Sequence, residues 1–288
     1  MYVVWGSTFL GLEVASRTLP PFLMLAARFA IAGPILLAIT LRDGTPRPTL
    51  VHWRSSAIVG SCLLCGALGL VTLAEKRVPT GVAALMVGAT PLWLALLDRV
   101  WRGVRLRPMA IVGLAVGFAG VAILAWPSGG GAFDRTGIFL LFLSPLSWTL
   151  GSIYARGAPL PARPLVGAAC QMTAVVPVLL VAAAVHGELG RLGDIHPSWR
   201  SVLALLYLAT IGSLAGYSAY VWLLASAPIS LVGTYAFVNP VVAVVLGYVV
   251  LDEKITLRVV AAAVVIVIAV ALIVSGQDRT SAAESERT

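Results

Sequence analysis

PTGVAALMVGATPLWLALL, residues 79–97, is an apolar run without a charged side chain, opened by Pro79 and interrupted by Pro91. Its length matches the roughly twenty residues a helix needs to cross about 30 Å of hydrocarbon. Backbone facing lipid must satisfy its own hydrogen bonds, so such a run is a helix. Pro228 and Pro240 repeat the spacing at a constant offset, and each proline-interrupted run is followed by a charged turn and a Gly/Ala/Val-rich stretch. The chain therefore reads as two similar halves.

The rest of the sequence agrees with a lipid solvent. Of 288 residues, 59% are hydrophobic and 11% are charged, whereas a soluble domain is about a quarter charged. So few charges exclude a water-covered surface. We expect an all-α integral membrane protein of about ten transmembrane helices, near residues 1–16, 22–41, 55–74, 79–97, 107–126, 137–155, 165–186, 201–224, 229–251 and 256–275. Residues 1–126 make a first five-helix repeat and 137–275 a second, with 276–288 a polar, disordered cytoplasmic tail. Five crossings per half is an odd number, so the second half is inverted relative to the first. Inverted repeats with broken helices are a transporter pattern, because they allow two mirror-related access states. The first span, Met1 to Ser16, reaches about 24 Å, and the expectation is that residues upstream continue it.

The net charge of +8 does not point to nucleic acid, because the arginines sit in short loops rather than in a stripe or tail. It bears on orientation. The 97–107 connection holds Arg99, Arg102, Arg105 and Arg107 against Asp98, while the alternate loops are near neutral. Basic loops stay inside, which predicts a cell inner (plasma) membrane protein with both termini cytoplasmic. Cys62, Cys65 and Cys170 read as packing residues, and His52, His186 and His196 are scattered. Walker, GxSxG and HExxH motifs are absent, so neither an enzyme nor a cofactor or metal is expected. The expected partners are a small-molecule solute and membrane lipid, in a monomer or homodimer. A flippase for a lipid-linked molecule, a membrane-embedded enzyme and a non-transporting scaffold are the alternatives.

Trp5-Gly6-Ser7-Thr8, Pro20-Pro21 with Arg28-Phe29, Pro79-x-Gly81 with Pro91, Ser147-Trp148 with Gly151-Ser152, and Tyr235, Asn239-Pro240 and Glu253 occur in order along nearly the whole chain. In these residues the sequence resembles the EamA family of the drug/metabolite transporter superfamily. The resemblance implies ten helices in two inverted EamA repeats and transport of small metabolites, often outward. Family members typically carry residues before the Trp-Gly-Ser motif, and often a basic residue where this chain has Glu13.

Several side chains are candidates for solute binding. Glu13 and Arg28 are charges inside spans, which face protein or water. Near the same ends of adjacent helices, they are expected to approach each other beside the cavity. The alternatives are a structural pair or snorkelling to the interface. Pro91 and Pro240 break their helices and free backbone carbonyls, with Thr90, Asn239 and Tyr235 beside them. Trp5, Trp148 and Ser152 form an aromatic and hydroxyl set on the first helix of each half. They line either a pocket or an interfacial belt. Glu75 and Glu253 at span ends are possible proton carriers, though acids at helix ends are usually solvated. Gly113, Gly117 and Gly120 form one face suited to close helix packing.

Overall fold

The structure is a computed structural model describing residues 2–42, 44–103, 108–125, 134–226 and 235–285. Ten helical spans, and no strand, occur among the described residues. They are α1 (Tyr2–Ser16), α2 (Pro21–Leu41), α3 (Leu50–Glu75), α4 (Thr80–Gly88, resuming at Thr90–Arg102) and α5 (Pro108–Ala125). The second half holds α6 (Arg135–Gly157), α7 (Pro164–Val185), α8 (Trp199–Tyr207, Leu208–Tyr217 and Ser218–Ser226), α9 (Tyr235–Leu251) and α10 (Leu257–Ser285). Six of these, α2, α3, α4, α6, α7 and α8, are long and apolar enough to cross a membrane, and the other four carry shorter apolar stretches.

Local chemistry sets many of the starts. Proline, which has no N–H to leave unpaired, opens α2, α5 and α7. Thr49 and His52 form a reciprocal capping box before α3, Asp134 accepts from the Gly137 amide at α6, and Ser198 accepts from the Ser201 amide at α8. Each side chain satisfies an amide that the helix cannot.

Contacts between turns fix the relative direction of the halves. Ser198 N–H donates to Thr18, Arg77 lies 3.7 Å from Asp134, Thr80 N–H donates to Glu253, and Arg258 donates to the Ile123 carbonyl. One end of the bundle thus collects the C-terminal ends of α1, α3, α5, α7 and α9 and the starts of α2, α4, α6, α8 and α10. Helix α1 runs towards this end and α6 runs away from it, so the repeats are inverted.

The halves interlock. Helix α2 packs along α7, α5 along α10, and α9 lies against α1 and α4. Close approach requires glycine at some crossings: a Cβ on Gly33 would stand 2.6 Å from Thr173 Oγ1 and 2.7 Å from its backbone nitrogen. On α5, a Cβ at Gly117 would meet Leu92 and Ala269, and one at Gly120 would meet Ile266. Gly113 is buried on the same helix.

Two sequence expectations change. Helix α4 does break, at Ala89 (φ −76°, ψ 4°) two residues before Pro91, but α9 runs unbroken through Pro240. Pro240 lies in the second turn, where it removes a single bond and leaves the helix path intact. Pro228 lies outside the described residues. At the other extreme, α10 continues to Ser285, through the stretch expected to be disordered from 276 onwards. Ala282, Ala283 and Glu284 are strong helix formers with no proline among them.

A feature that no residue type announced is a pair of wide, π-helical turns. They occupy Ser61–Ala67 in α3 and Leu208–Tyr217 in α8, the third helix of each half. Carbonyls displaced by the first are taken up by α6: Ser147 Oγ donates to Cys62 O (2.8 Å) and Ser144 Oγ to Ala67 O (3.0 Å).

Candidate functional site

Between the repeats, midway along the helices, lies a cavity. It is lined by α1 (Trp5, Thr8, Phe9, Leu12), α2 (Arg28, Phe29), α3, α4 (Val87, Thr90), α6 (Ser144, Pro145, Trp148), α8 (Gly212, Ser213, Tyr217) and α9 (Asn239). Both wide turns contribute to the wall.

Arg28 is the charged residue in this lining and is 5% exposed. Its Nε donates to Ser213 Oγ at 2.7 Å, while Nη1 is buried without a hydrogen-bond partner. The guanidinium carbon stands 5.1 Å from the centroid of the Phe29 ring. A guanidinium stays charged when buried, and a buried charge needs partners. One edge of Arg28 is therefore fixed by protein and another is left for an acceptor inside the cavity.

Aromatic rings form another part of the wall. Trp5 lies edge-on to Trp148 at 6.3 Å and tilted against Tyr220 at 4.7 Å. The Tyr217 hydroxyl donates to buried Gln171, fixing that ring from α7. The cavity hydroxyls are turned back onto their own or neighbouring helices: Thr8 donates to Trp5 O and Thr90 to Val87 O. The protons of Thr8 and Thr90 are thereby spent on carbonyls, and the charged donor in the lining is Arg28.

The sequence candidates separate under this geometry. Trp5, Arg28, Thr90, Trp148 and Asn239 share the cavity. Ser152 does not; its hydroxyl donates to Trp148 O at 2.8 Å. Tyr235 opens α9, and its side chain lies outside the described residues. Glu13 does not approach Arg28. It pairs with Arg17 at 3.3 Å, one turn along α1, because a position three residues from the helix end lets a long acid reach the polar boundary.

Glu13 instead borders a second space, a polar vestibule at the end where the short α1–α2 and α3–α4 turns lie. Arg17, Glu75, Lys76, Arg77, Pro79 and Glu253 line it too. Burial lowers the pKa of the Lys76 ammonium, against the pull of Glu188 and Glu13. A packed layer separates the spaces: Leu12, Ala15, Leu25, Val71, Ala74 and Val78 are all buried.

Two acids lock this end, and sequence reasoning missed both roles. Glu188 is 4% exposed and accepts from the Phe22 and Leu23 amides at 3.2 and 2.9 Å, capping α2. Glu253 accepts from the Thr80 and Gly81 amides at 2.7 and 3.2 Å, capping α4. Each follows a residue in the left-handed region, Gly187 (φ 76°) or Asp252 (φ 56°), that ends the preceding helix. The signal was an acid directly after a helix-stopping Gly or Asp. Its target, an uncapped helix far away in sequence, was not visible. We refer to this as the capped end. Glu75, expected to be solvated, is also buried. Among the described residues no group of three metal-binding side chains occurs.

Known proteins resemble this chain in sequence and in fold. The chain is 37% identical over 249 residues to the uncharacterized inner membrane transporter YedA of Escherichia coli (strain K12), covering 86% of this chain and 79% of that one. A probable amino-acid metabolite efflux pump of the same organism is 24% identical over 262 residues, covering 88% and 85%. A crystal structure with 21% sequence identity superposes with a TM-score of 0.65 over 94% of both chains, which supports the fold. The EamA-like transporter family matches residues 1–126 and 135–275, and this chain belongs to that family.

Proposed function

We propose that the chain is a secondary transporter that exports small amphipathic solutes bearing a carboxylate, amino-acid-like metabolites among them, by alternating access. The observation that carries this reading is the buried, unpartnered Nη1 of Arg28 in a cavity walled by Trp5, Trp148 and Tyr217. Arginine presents a planar fork that fits a carboxylate, and flat rings accept the apolar body of the same molecule. The name of the related probable amino-acid metabolite efflux pump agrees with this solute class.

The capped end faces outward in this proposal. The opposite end carries Arg42, Arg47, Arg54, Arg99, Arg156 and Arg163, and loops rich in arginine remain in the cytoplasm. Both termini are then cytoplasmic. With the outer side latched by Glu188 and Glu253, solute enters from the cytoplasm and leaves when one repeat rocks against the other.

A metabolite-efflux screen in cells producing the full chain tests this. Carboxylate-bearing solutes are expected to accumulate outside, and an Arg28→Ala variant present at equal level in the membrane is expected to abolish the gain. Efflux confined to cations or neutral solutes, or left intact by Arg28→Ala, would sink the assignment.

A further inference from the structure

Glu75 is the last residue of α3, 5% exposed, and both of its carboxyl oxygens are buried without a hydrogen-bond partner. It lines the vestibule, with its carboxyl oxygens shielded at the edge of the packed layer. Val71, one turn deeper, lines the cavity, and Lys76, the next residue, lines the vestibule.

The surrounding charges do not compensate it. From α1, Arg17 is paired with Glu13 at 3.3 Å. From the α3–α4 turn, Arg77 lies 3.7 Å from Asp134 at the start of α6, and Lys76, which also lines the vestibule, makes no hydrogen bond to either Glu75 oxygen. Helix α2 contributes Arg28, held by Ser213 in the cavity. From beyond α9, Glu253 is engaged with the α4 amides. A carboxylate here would have neither counterion nor hydrogen bond, a situation that interiors avoid by holding the neutral acid.

We propose that the carboxyl group of Glu75 is a proton-binding site in the wall of the vestibule, its oxygens shielded from vestibule water and loaded whenever the capped end is shut. When that end opens, vestibule water reaches the group, its O–H bond breaks, and the proton passes to water to leave a hydrated carboxylate. Closure takes one proton back. The shut state therefore binds one proton more than the open state, and raising the pH favours opening. This inference goes beyond the solute assignment and needs no transported molecule, so either can fail alone.

Infrared spectroscopy of the full chain in phosphatidylethanolamine–phosphatidylglycerol liposomes tests it. The expected result is a protonated-carboxyl C=O band at neutral pH that is missing from Glu75→Gln, shifted in Glu75→Asp and retained in Glu13→Gln. Identical carboxyl regions in wild type and Glu75→Gln would overturn the proposal. So would loss of the band when sodium replaces N-methylglucamine, which would mark a metal-ion site. A second measurement follows the vestibule directly, with Val78→Cys in a background lacking Cys62, Cys65 and Cys170. Labelling by a membrane-impermeant maleimide, normalised to the unfolded chain at each pH, is expected to rise about threefold or more between about pH 6 and about pH 8. Glu75→Gln should flatten that rise, and an unchanged rise in that variant contradicts the proposal.

Discussion

Arg28 and Glu75 are equally buried, at 5% exposure each, and stand on opposite sides of one packed layer, yet they meet different surroundings. Arg28 lies in the midplane cavity with a fixed hydroxyl partner and a free edge. Glu75 lies in the wall of the vestibule with no bond at all. The difference follows from chemistry. A guanidinium cannot shed its charge, so its burial calls for an acceptor and creates a site for an anion. A carboxyl can shed its charge by taking a proton, so its burial without partners creates a site for that proton. Equal depth thus gives one residue a part in choosing solute and the other a part in responding to pH.

The largest expected effect bears on the cavity half of this contrast. Arg28→Ala should lower initial efflux of a carboxylate solute from proteoliposomes by at least about tenfold, the scale of one charge-assisted bond. Arg28→Lys should restore little, because a single ammonium lacks the fork. Equal losses for the solute and its neutral amide would break the contrast, since charge recognition would then not be the reason for Arg28.

Next in size is the crossing that holds the repeats together. Gly33→Val places side-chain atoms where Thr173 already stands, and should cost about 1–3 kcal/mol. The check is a lower Tm of the detergent-purified chain, with both sites degraded together. The caps come third. Glu188→Ala or Glu253→Ala removes a carboxylate from a helix start, worth about 1 kcal/mol. Maleimide labelling at Val78→Cys should then quicken by about fivefold, while solute preference stays as in wild type. Smallest is Ser213→Ala, which frees Arg28 Nε and should change apparent affinity about two- to threefold, with little effect at the capped end.

Much of the architecture was legible because lipid imposes simple rules. Bilayer-length apolar runs, loop prolines and an odd number of spans per half suffice for ten helices in opposed repeats. The cavity was partly legible: Trp5, Arg28, Thr90, Trp148 and Asn239 stand out as polar or aromatic residues within spans, and the structure brings them together. The capped end was not. Whether an acid at a helix end is partly exposed, as Glu13 is, or buried, as Glu75 and Glu188 are, depends on helices distant in sequence. Their approach is set by packing, which a one-dimensional pattern does not encode. The wide turns in α3 and α8 escaped for a related reason, since no residue type specifies them and their displaced carbonyls are satisfied from another helix, as with Ser144 and Ser147.

Those turns also say something about how this bundle tolerates changes in length. A π turn accommodates one residue more than the α-helix on either side of it. Removing one residue within Ser61–Ala67 or Leu208–Tyr217 lets the turn relax to ordinary winding and leaves the flanking faces aligned. The same deletion elsewhere in α3 or α8 swings everything beyond it by about 100°. The chain therefore has two places where a span can be shortened without scrambling its neighbours, and both lie in the wall of the cavity. Insertion and deletion can reshape the chamber while the scaffold around it stays in register.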